Sequence, residues 1–471
     1  MTAPSTPRSL AEHVAAVLAG VAPLPVQDVG LADLAVEPPG RSLGAEVRAV
    51  ALVPPFDAAA MDGYAVRLAD LPADGSPVTL TVVGDRRPGS PPDRCERDLG
   101  PRHAVHGGQD PAHTDPGGAV RIMTGAPVPG WADAVVPVER TSTGRFVAGG
   151  PTTETEVTLA RQDRAHVRRR GEDVRPGDLL GAAGDAVTPA LVAVAASAGL
   201  TALPVRRRPR VAVLSTGSEL VPAEGSAAGA GAGRIPDSNS LLLASLARAA
   251  GADVVRVGAV PDDADALRAA LDSVVDGHLA LDTPGERAKR PPTTLQGPAV
   301  DLLVTTGGVS AGASDVVRAV LDADDPRLAD VDVAAVALRP GRPQALARWR
   351  GVPWVALPGN PVSAFVSFAL FVRPAVATLA GREPARPVTR PAAEAWASPP
   401  GRTHVVPVRT LASGAVERAA APGAGRDGVG GHATSALLGA DGLALVEPDV
   451  AKVEAGDLVQ VLSLDLPFGL R

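Results

Sequence analysis

Three turns, each placed after a run of β-formers, carry the residue types that phosphate chemistry needs. Ser215-Thr216-Gly217-Ser218-Glu219 follows the apolar run Val211 to Leu214 and offers backbone N–H groups beside a carboxylate. Thr305-Thr306-Gly307-Gly308-Val309-Ser310-Ala311-Gly312 leads from a strand toward a helix near Asp315, so its glycines let the backbone approach an anion at a helix N-terminus. Leu357-Pro358-Gly359-Asn360-Pro361-Val362-Ser363 repeats the pattern, with Ser363 in the first helical turn. With Asp237, Asp262, Asp263 and Asp315, these turns combine N–H donors with hard oxygen ligands. Such a set is expected where a hard cation bridges phosphate oxygens to protein. Helix capping competes for some of the same residues, because Asp237, Ser238 and Asp315 sit where N-caps belong.

Two further motifs precede these turns. Pro54-Pro55-Phe56-Asp57-Ala58-Ala59-Ala60-Met61-Asp62-Gly63-Tyr64-Ala65-Val66-Arg67 places an acidic residue in a Gly turn beside the one tyrosine of the chain, and its periodicity reads as a hairpin. Arg121-Ile122-Met123-Thr124-Gly125-Ala126-Pro127 ends an apolar run in turn formers whose N–H groups could face a ligand.

Other phosphate signatures fail. A Walker loop needs Gly-Lys, and both lysines, Lys289 and Lys452, follow alanine. Gly423-Ala424-Gly425-Arg426-Asp427-Gly428 matches a dinucleotide fingerprint but has neither a strand before it nor a helix after it. Arg168-Arg169-Arg170 and Arg206-Arg207-Arg208 lack interleaved aromatics and read as solvated or phosphate-edge faces, not RNA sites.

The elements that must position these residues follow from periodicity. Ser9 and Glu12 form a capping box ahead of Leu10, Val14, Val17 and Leu18 on one helical face, ended by Gly20. From about Leu31 to Val174 short β runs such as Val78 to Val83 and Ala134 to Val138 predict an all-β module. Beyond Arg210, strands at Val211 to Leu214, Val254 to Val257 and Leu302 to Thr305 alternate with helices at Ser238 to Ala250 and Asp262 to Val275. A strand at Trp354 to Leu357 then leads into a last helix from about Val362 to Leu379. That order predicts a parallel sheet covered by helices, with ligands beyond its carboxyl edge. Runs at His404 to Val408, Leu443 to Val446 and Val459 to Leu462 predict a terminal β-barrel or sandwich.

Pro88 to Gly118 and roughly Gly277 to Gly297 read as loops rich in turn formers. His103, His106, His113, Cys95 and Asp110 in the first could be imagined as metal ligands, but no apolar anchors hold a geometry, and a solvated loop is expected.

At 471 residues the chain predicts about three domains. With 51 glycines and 47 prolines but 45% apolar content, it is neither low-complexity nor disordered. A net charge of −7 argues against a polyanion partner, so no nucleic acid is expected. The lone Cys95 excludes an intrachain disulfide, and the sequence shows neither an export signal nor a membrane span, so a cytoplasmic location away from membranes is expected.

The motifs PPFDAAAMDGYAVR, AVRIMTGAPVP, RRRGEDV, STGSEL, DSNS, TTGGVSAGASD, LRPGRP and LPGNPVSAF occur in that order and closely resemble the molybdopterin molybdenumtransferases. That family includes the E domain of gephyrin-type proteins. The resemblance spans nearly the whole chain and implies a multidomain α/β plus β fold. An N-terminal helical or linker domain would take 8–27 and 176–207, and an elongated β domain 28–175 with the insertion 88–118. An α/β molybdopterin-binding domain would follow at 208–384, and a C-terminal β domain at 385–471. It also implies a homodimer that converts adenylyl-molybdopterin and molybdate, with Mg²⁺, to molybdenum cofactor and AMP, with possible contacts to molybdopterin adenylyltransferase and to molybdoenzymes.

Carried over by position, Asp62, Glu219 and Asp315 become catalytic candidates. Thr124, Asp173, Gly307, Gly308, Ser310, Pro358, Gly359, Asn360 and Ser363 become substrate contacts, Arg339 and Arg342 molybdate contacts, and Asp237 with Glu219 metal ligands. The chain departs from the family pattern at Ala58 and Ala59, where Asn-Ser is common, at Ser218 for Asp and at Ala313 for Glu. Ala335 stands where a Lys often lies, and Pro407 and Gly431 stand where an Arg and a Ser are common, although Arg409 could compensate. These departures leave an alternative, a member that binds adenylyl-molybdopterin as a carrier or scaffold without efficient insertion. The related adenylyltransferase shares the α/β domain but would need neither β region.

Overall fold

The computed structural model describes residues 7–91, 117–147, 154–222, 233–278, 298–310, 315–419 and 434–464. Cys95, His103, His106, Asp110, His113, Ala313, Gly431 and the Gly423 to Gly428 run lie outside the described residues. The chain divides into two units, one of Met1–Glu46, Ala182–Thr188 and Leu203–Arg471, the other of Val47–Gly181 and Pro189–Ala202.

The first unit is built on a six-stranded sheet in the order Asp253–Val260, Arg210–Thr216, Leu302–Thr306, Val352–Leu357, Pro343–Trp349, Leu328–Ala335. The first four strands are parallel and the last two antiparallel. Period-two alternation explains why the inner strands read as unbroken apolar runs. Val211 and Val213 face a core closed by the helices Ser238–Ala249 and Pro361–Ser367. Ala212 and Leu214 face a second core with Leu267, Leu271 and Val317. Reading alternating β and α runs predicts a wholly parallel sheet and misses the antiparallel pair. Leu328–Ala335 is an edge strand with Asp330 exposed and Asp332 paired to Arg8 at 2.6 Å, so its apolar signal is diluted.

The last helical run, Pro361–Leu379, passes through a π-helical turn at Phe368–Val372. It is long and apolar enough to cross a membrane, yet most of it is buried in the first core. The N-terminal helix Leu10–Ala19 carries the expected capping box and buries His13 against Phe371, with ring centroids 4.7 Å apart. The β reading begins too early, because Leu31–Val36 is a short helix. Leu-Ala-Asp-Leu-Ala favours that turn, and Pro38 and Pro39 then stop it.

The terminal sheet orders Leu338–Arg339, Thr403–Thr410, Gly442–Val446, Leu458–Ser463 and Val388–Pro391, with Val416–Arg418 also paired to Thr403–Thr410. Arg339 therefore lies on the edge of this sheet, in parallel register with His404.

The second unit holds a five-stranded sheet in the order Ala134–Pro137, Gly63–Val66, Gly118–Ile122, Val78–Arg86, Glu156–Leu159. Gly63 is required there, since a Cβ would stand 2.1 Å from the carbonyl oxygen of Val136.

Candidate functional site

The three turns predicted from sequence meet at the carboxyl edge of the parallel strands, around a cleft of about 430 Å³. Gly307 and Gly359 make this possible. A Cβ on Gly307 would stand 2.6 Å from the Thr216 carbonyl oxygen, and one on Gly359 would stand 3.2 Å from the Gly307 Cα. Thr306 donates its hydroxyl to the Pro358 carbonyl at 2.8 Å, and Gly307 donates its N–H to the Leu357 carbonyl at 3.1 Å.

Around this floor stand carboxylates from several elements. Leu220–Val221 pairs with Ile235–Pro236, and the Asp237 N–H donates to the Val221 carbonyl at 2.9 Å, which brings Asp237 to the cleft wall. Asp237 caps the helix Ser238–Ala249 through the Ser240 N–H at 3.0 Å, so the capping reading holds for one of its oxygens. Ser238 is the first helical residue and not a cap. Asp315 occupies an N-cap position without capping; its carboxylate accepts the Ser310 hydroxyl at 2.7 Å. The helix expected from Asp262 begins at Ala264, capped by Asp263. That leaves Asp262 to line the cleft, where it accepts the Ser218 N–H at 2.8 Å and donates its own N–H to the Ser218 hydroxyl at 3.0 Å.

Glu219, Asp237, Gly307, Gly308, Ser310, Asp315, Pro358 and Gly359 thus share one cleft. Asn360 and Ser363 do not line it: the Asn360 side chain caps the next helix through the Val362 and Ser363 N–H groups. Sequence reasoning carried Thr216 and Thr306 only as members of the turns and gave Asn239 no role; all three line the wall. Asn239 donates to the Thr306 hydroxyl oxygen at 3.2 Å and to the Gly359 carbonyl at 2.7 Å, tying two turns together. Its place in DSNS, at a strand-to-helix turn, was the available signal.

The residues of this cleft fall inside a region that known proteins match. Residues 8–199 match the MoeA N-terminal region (domain I and II), residues 212–283 and 292–378 a probable molybdopterin binding domain, and residues 389–464 the MoeA C-terminal region (domain IV). Molybdopterin molybdenumtransferase 2 of Mycobacterium tuberculosis (strain ATCC 25618 / H37Rv) is 36% identical over 431 residues, covering 90% of this chain and 93% of that protein. The chain belongs to the molybdopterin molybdenumtransferase family. It is accordingly a transferase of molybdenum cofactor biosynthesis. Molybdopterin molybdenumtransferase 1 of the same strain is 32% identical, over 97% of this chain and 99% of that one. The crystal structure of a MoeA protein from Pyrococcus horikoshii superposes with a TM-score of 0.68 at 25% identity, over 97% of this chain and 98% of that one.

In this MoeA-family chain the second unit gathers motifs of its own. The Asp62 carboxylate accepts the N–H of Thr124 at 2.7 Å and its hydroxyl at 2.8 Å, and these two bonds hold it below the usual carboxylate range. Asp57 accepts from the Arg169 guanidinium and from the Arg170 N–H, each at 2.7 Å, while the Asp173 N–H donates to the Val53 carbonyl at 3.1 Å. Three separated motifs, around Asp62, Thr124 and Asp173, are thereby joined.

Arg339 and Arg342 are exposed and flank a turn made of half-buried Pro340 and buried Gly341 in the first unit. Gln344 fastens it, donating to the Gly341 carbonyl at 2.9 Å and to the Ser367 hydroxyl at 2.7 Å. Neither arginine lines the cleft, but the next residue, Pro343, does. His404, opposite Arg339, is pushed down to about 4 by burial and by the arginine's charge.

Proposed function

We propose that the chain transfers molybdate to adenylyl-molybdopterin with release of AMP, forming molybdenum cofactor. The observation that carries this is the closure of three glycine-bearing turns on one cleft edged by Glu219, Asp262 and Asp315. Breaking the phosphoanhydride to AMP develops charge on phosphate oxygens as an oxygen of water or oxyanion adds to phosphorus. Fixed N–H donors are worth most where charge develops in this way.

Mg²⁺ fits this donor set as a cation that arrives with phosphate. Among the described residues no three His, Cys, Asp or Glu form a ready cage, and Mg²⁺ commonly takes one or two carboxylates plus substrate phosphates. Of the two carboxylates the sequence offers for it, Glu219 is exposed at the cleft edge and would hold it. Asp237 is 2% exposed and already spends one oxygen on the Ser240 N–H. When bound, the cation would neutralise phosphate charge. Arg339 and Arg342 would meet the oxyanion from the Pro340-Gly341 turn, forked as a tetrahedral anion requires. Asp62 and Thr124 would serve the same reaction in a cytoplasmic homodimer, and the adenylyltransferase and molybdoenzymes would be its neighbours in the sequence of reactions.

One observation favours the carrier reading instead. Ala335, at the end of its strand, supplies no cation where the family pattern often has a lysine. AMP release from adenylyl-molybdopterin, measured with and without molybdate, separates the two. Release stimulated by molybdate supports insertion, and binding without stimulated release supports the carrier.

A further inference from the structure

Two residues of the cleft wall each hold a shielded side-chain oxygen with no hydrogen-bond partner among the described residues. Asp237 is 2% exposed; one carboxylate oxygen takes the Ser240 N–H, and Oδ2 is shielded with nothing bonded to it. Asn239, two residues on and also on the wall, has its Oδ1 shielded and unpartnered. The orientation of that amide is dictated by its neighbours. The Gly359 carbonyl can only accept, so the atom 2.7 Å from it must be the NH₂ group. Thr306 spends its hydroxyl hydrogen on the Pro358 carbonyl, so towards Asn239 it also accepts. Both amide hydrogens are consumed, and Oδ1 remains an acceptor.

A buried acceptor left unmade is costly, and Asp237 and Asn239, two residues apart on this wall, each keep one. One is anionic and the other neutral, and neither suits a phosphate. We propose that Asp237 Oδ2 and Asn239 Oδ1 form a two-acceptor subsite that reads a pair of neighbouring donor hydrogens on the ligand. This rests on the proposed substrate, which contains two such pairs: the ring N–H and exocyclic amino group of the pterin, and the cis-diol of the ribose. Asp237 is then a specificity residue for the uncharged part of the substrate, while the glycine turns hold its phosphates.

The test uses the full chain and fragments of the substrate. Equilibrium binding is measured for pterin against lumazine, in which a carbonyl replaces the amino group, and for AMP against its dideoxy analogue. The variant is Asp237→Asn, which keeps the oxygen that caps the helix and turns the free acceptor into a donor. Wild type is expected to prefer the donor-bearing member of one pair by about tenfold, and Asp237→Asn to erase that preference while its melting temperature holds. Loss on the pterin arm places the pterin edge in the subsite, and loss on the AMP arm places the ribose there. Preferences unchanged on both arms overturn the subsite and leave the proposed function standing. Failure of wild type to bind either pterin or AMP overturns the proposed function and the subsite with it.

Discussion

Ser218 and Asp262 bond each other twice, N–H to carboxylate at 2.8 Å and N–H to hydroxyl at 3.0 Å, so two turns from different strands move as one. Both residues are exposed, and each bond contributes about 0.5–1.5 kcal/mol net at most. The pair therefore matters more for placing Glu219 and Asp262 than for folding. Asp262→Ala is expected to lower AMP release by about tenfold or more with little change in melting temperature. Ser218→Ala keeps the carboxylate on its N–H acceptor duty and should cost less than about threefold. Equal losses in the two variants would contradict a direct part for the Asp262 carboxylate.

Asp62→Asn separates charge from geometry in the second unit. Asparagine keeps an oxygen for the Thr124 N–H and hydroxyl, so the turn should hold, yet the negative charge is gone. Molybdate-stimulated AMP release should drop by about tenfold or more in a stably folded protein. Because the wild-type carboxyl titrates below its ordinary range, activity should show no acid limb from Asp62 above about pH 4. Wild-type turnover in the purified variant sinks the role.

How far the sequence spoke depends on which force placed each residue. Chain-local physics made the turns legible: glycines after buried strands, the Ser9–Glu12 box and the period of Val211 to Leu214 are written within a few residues. Family motifs supplied Asp62 and Thr124, whose mutual bond spans 62 positions and has no local signature. Asn239 stayed hidden for the same reason, since its partners Thr306 and Gly359 meet it only after three strands pair. Asn360 looked like a ligand because a capping asparagine and a binding asparagine are written alike at a strand-to-helix turn.

The turn bearing Arg339 and Arg342 predicts a molybdate titration. Arg339 sits on a sheet edge with His404 held neutral beside it, so its guanidinium and that of Arg342 are the charges this turn offers an oxyanion. A charge-assisted bond to such an anion is worth about 1.5–3 kcal/mol. Arg339→Ala should raise the half-saturating molybdate concentration by about tenfold or more while adenylyl-molybdopterin still binds. An unchanged half-saturation means that the oxyanion sits elsewhere.

In the second unit the phenol of Tyr64 donates to Glu154 at 2.7 Å, and Arg121 meets the other Glu154 oxygen at 3.2 Å while stacking over Phe146. Both members of the ion pair are buried, so removing one leaves an uncompensated charge at a cost of about 3–5 kcal/mol. Arg121→Met should therefore be severe. Arg121→Met with Glu154→Leu should recover much of the loss, since no charge is then stranded. A double variant as unstable as the sum of the two singles, by thermal unfolding, would remove the ion pair from the account.

His13 gives the fold an acid limit. Its ring is wholly buried and edge-on to Phe371, and burial first, then the nearby Arg8 charge, lowers it to about 4, with Asp332 opposing. In the unfolded chain the same ring titrates near about 6.5, so between the two values the unfolded state binds the extra proton. Stability from this residue is thus complete above about pH 6.5 and falls as the pH drops toward 4. The loss between about pH 7 and pH 5 is on the order of 2 kcal/mol. His13→Leu fills the same apolar seat without a titrating group, so its urea midpoint should fall less than that of wild type over this interval. His404, likewise held near 4, contributes to the slope that remains. Parallel pH dependences in wild type and His13→Leu would show that the buried imidazole does not set this limit.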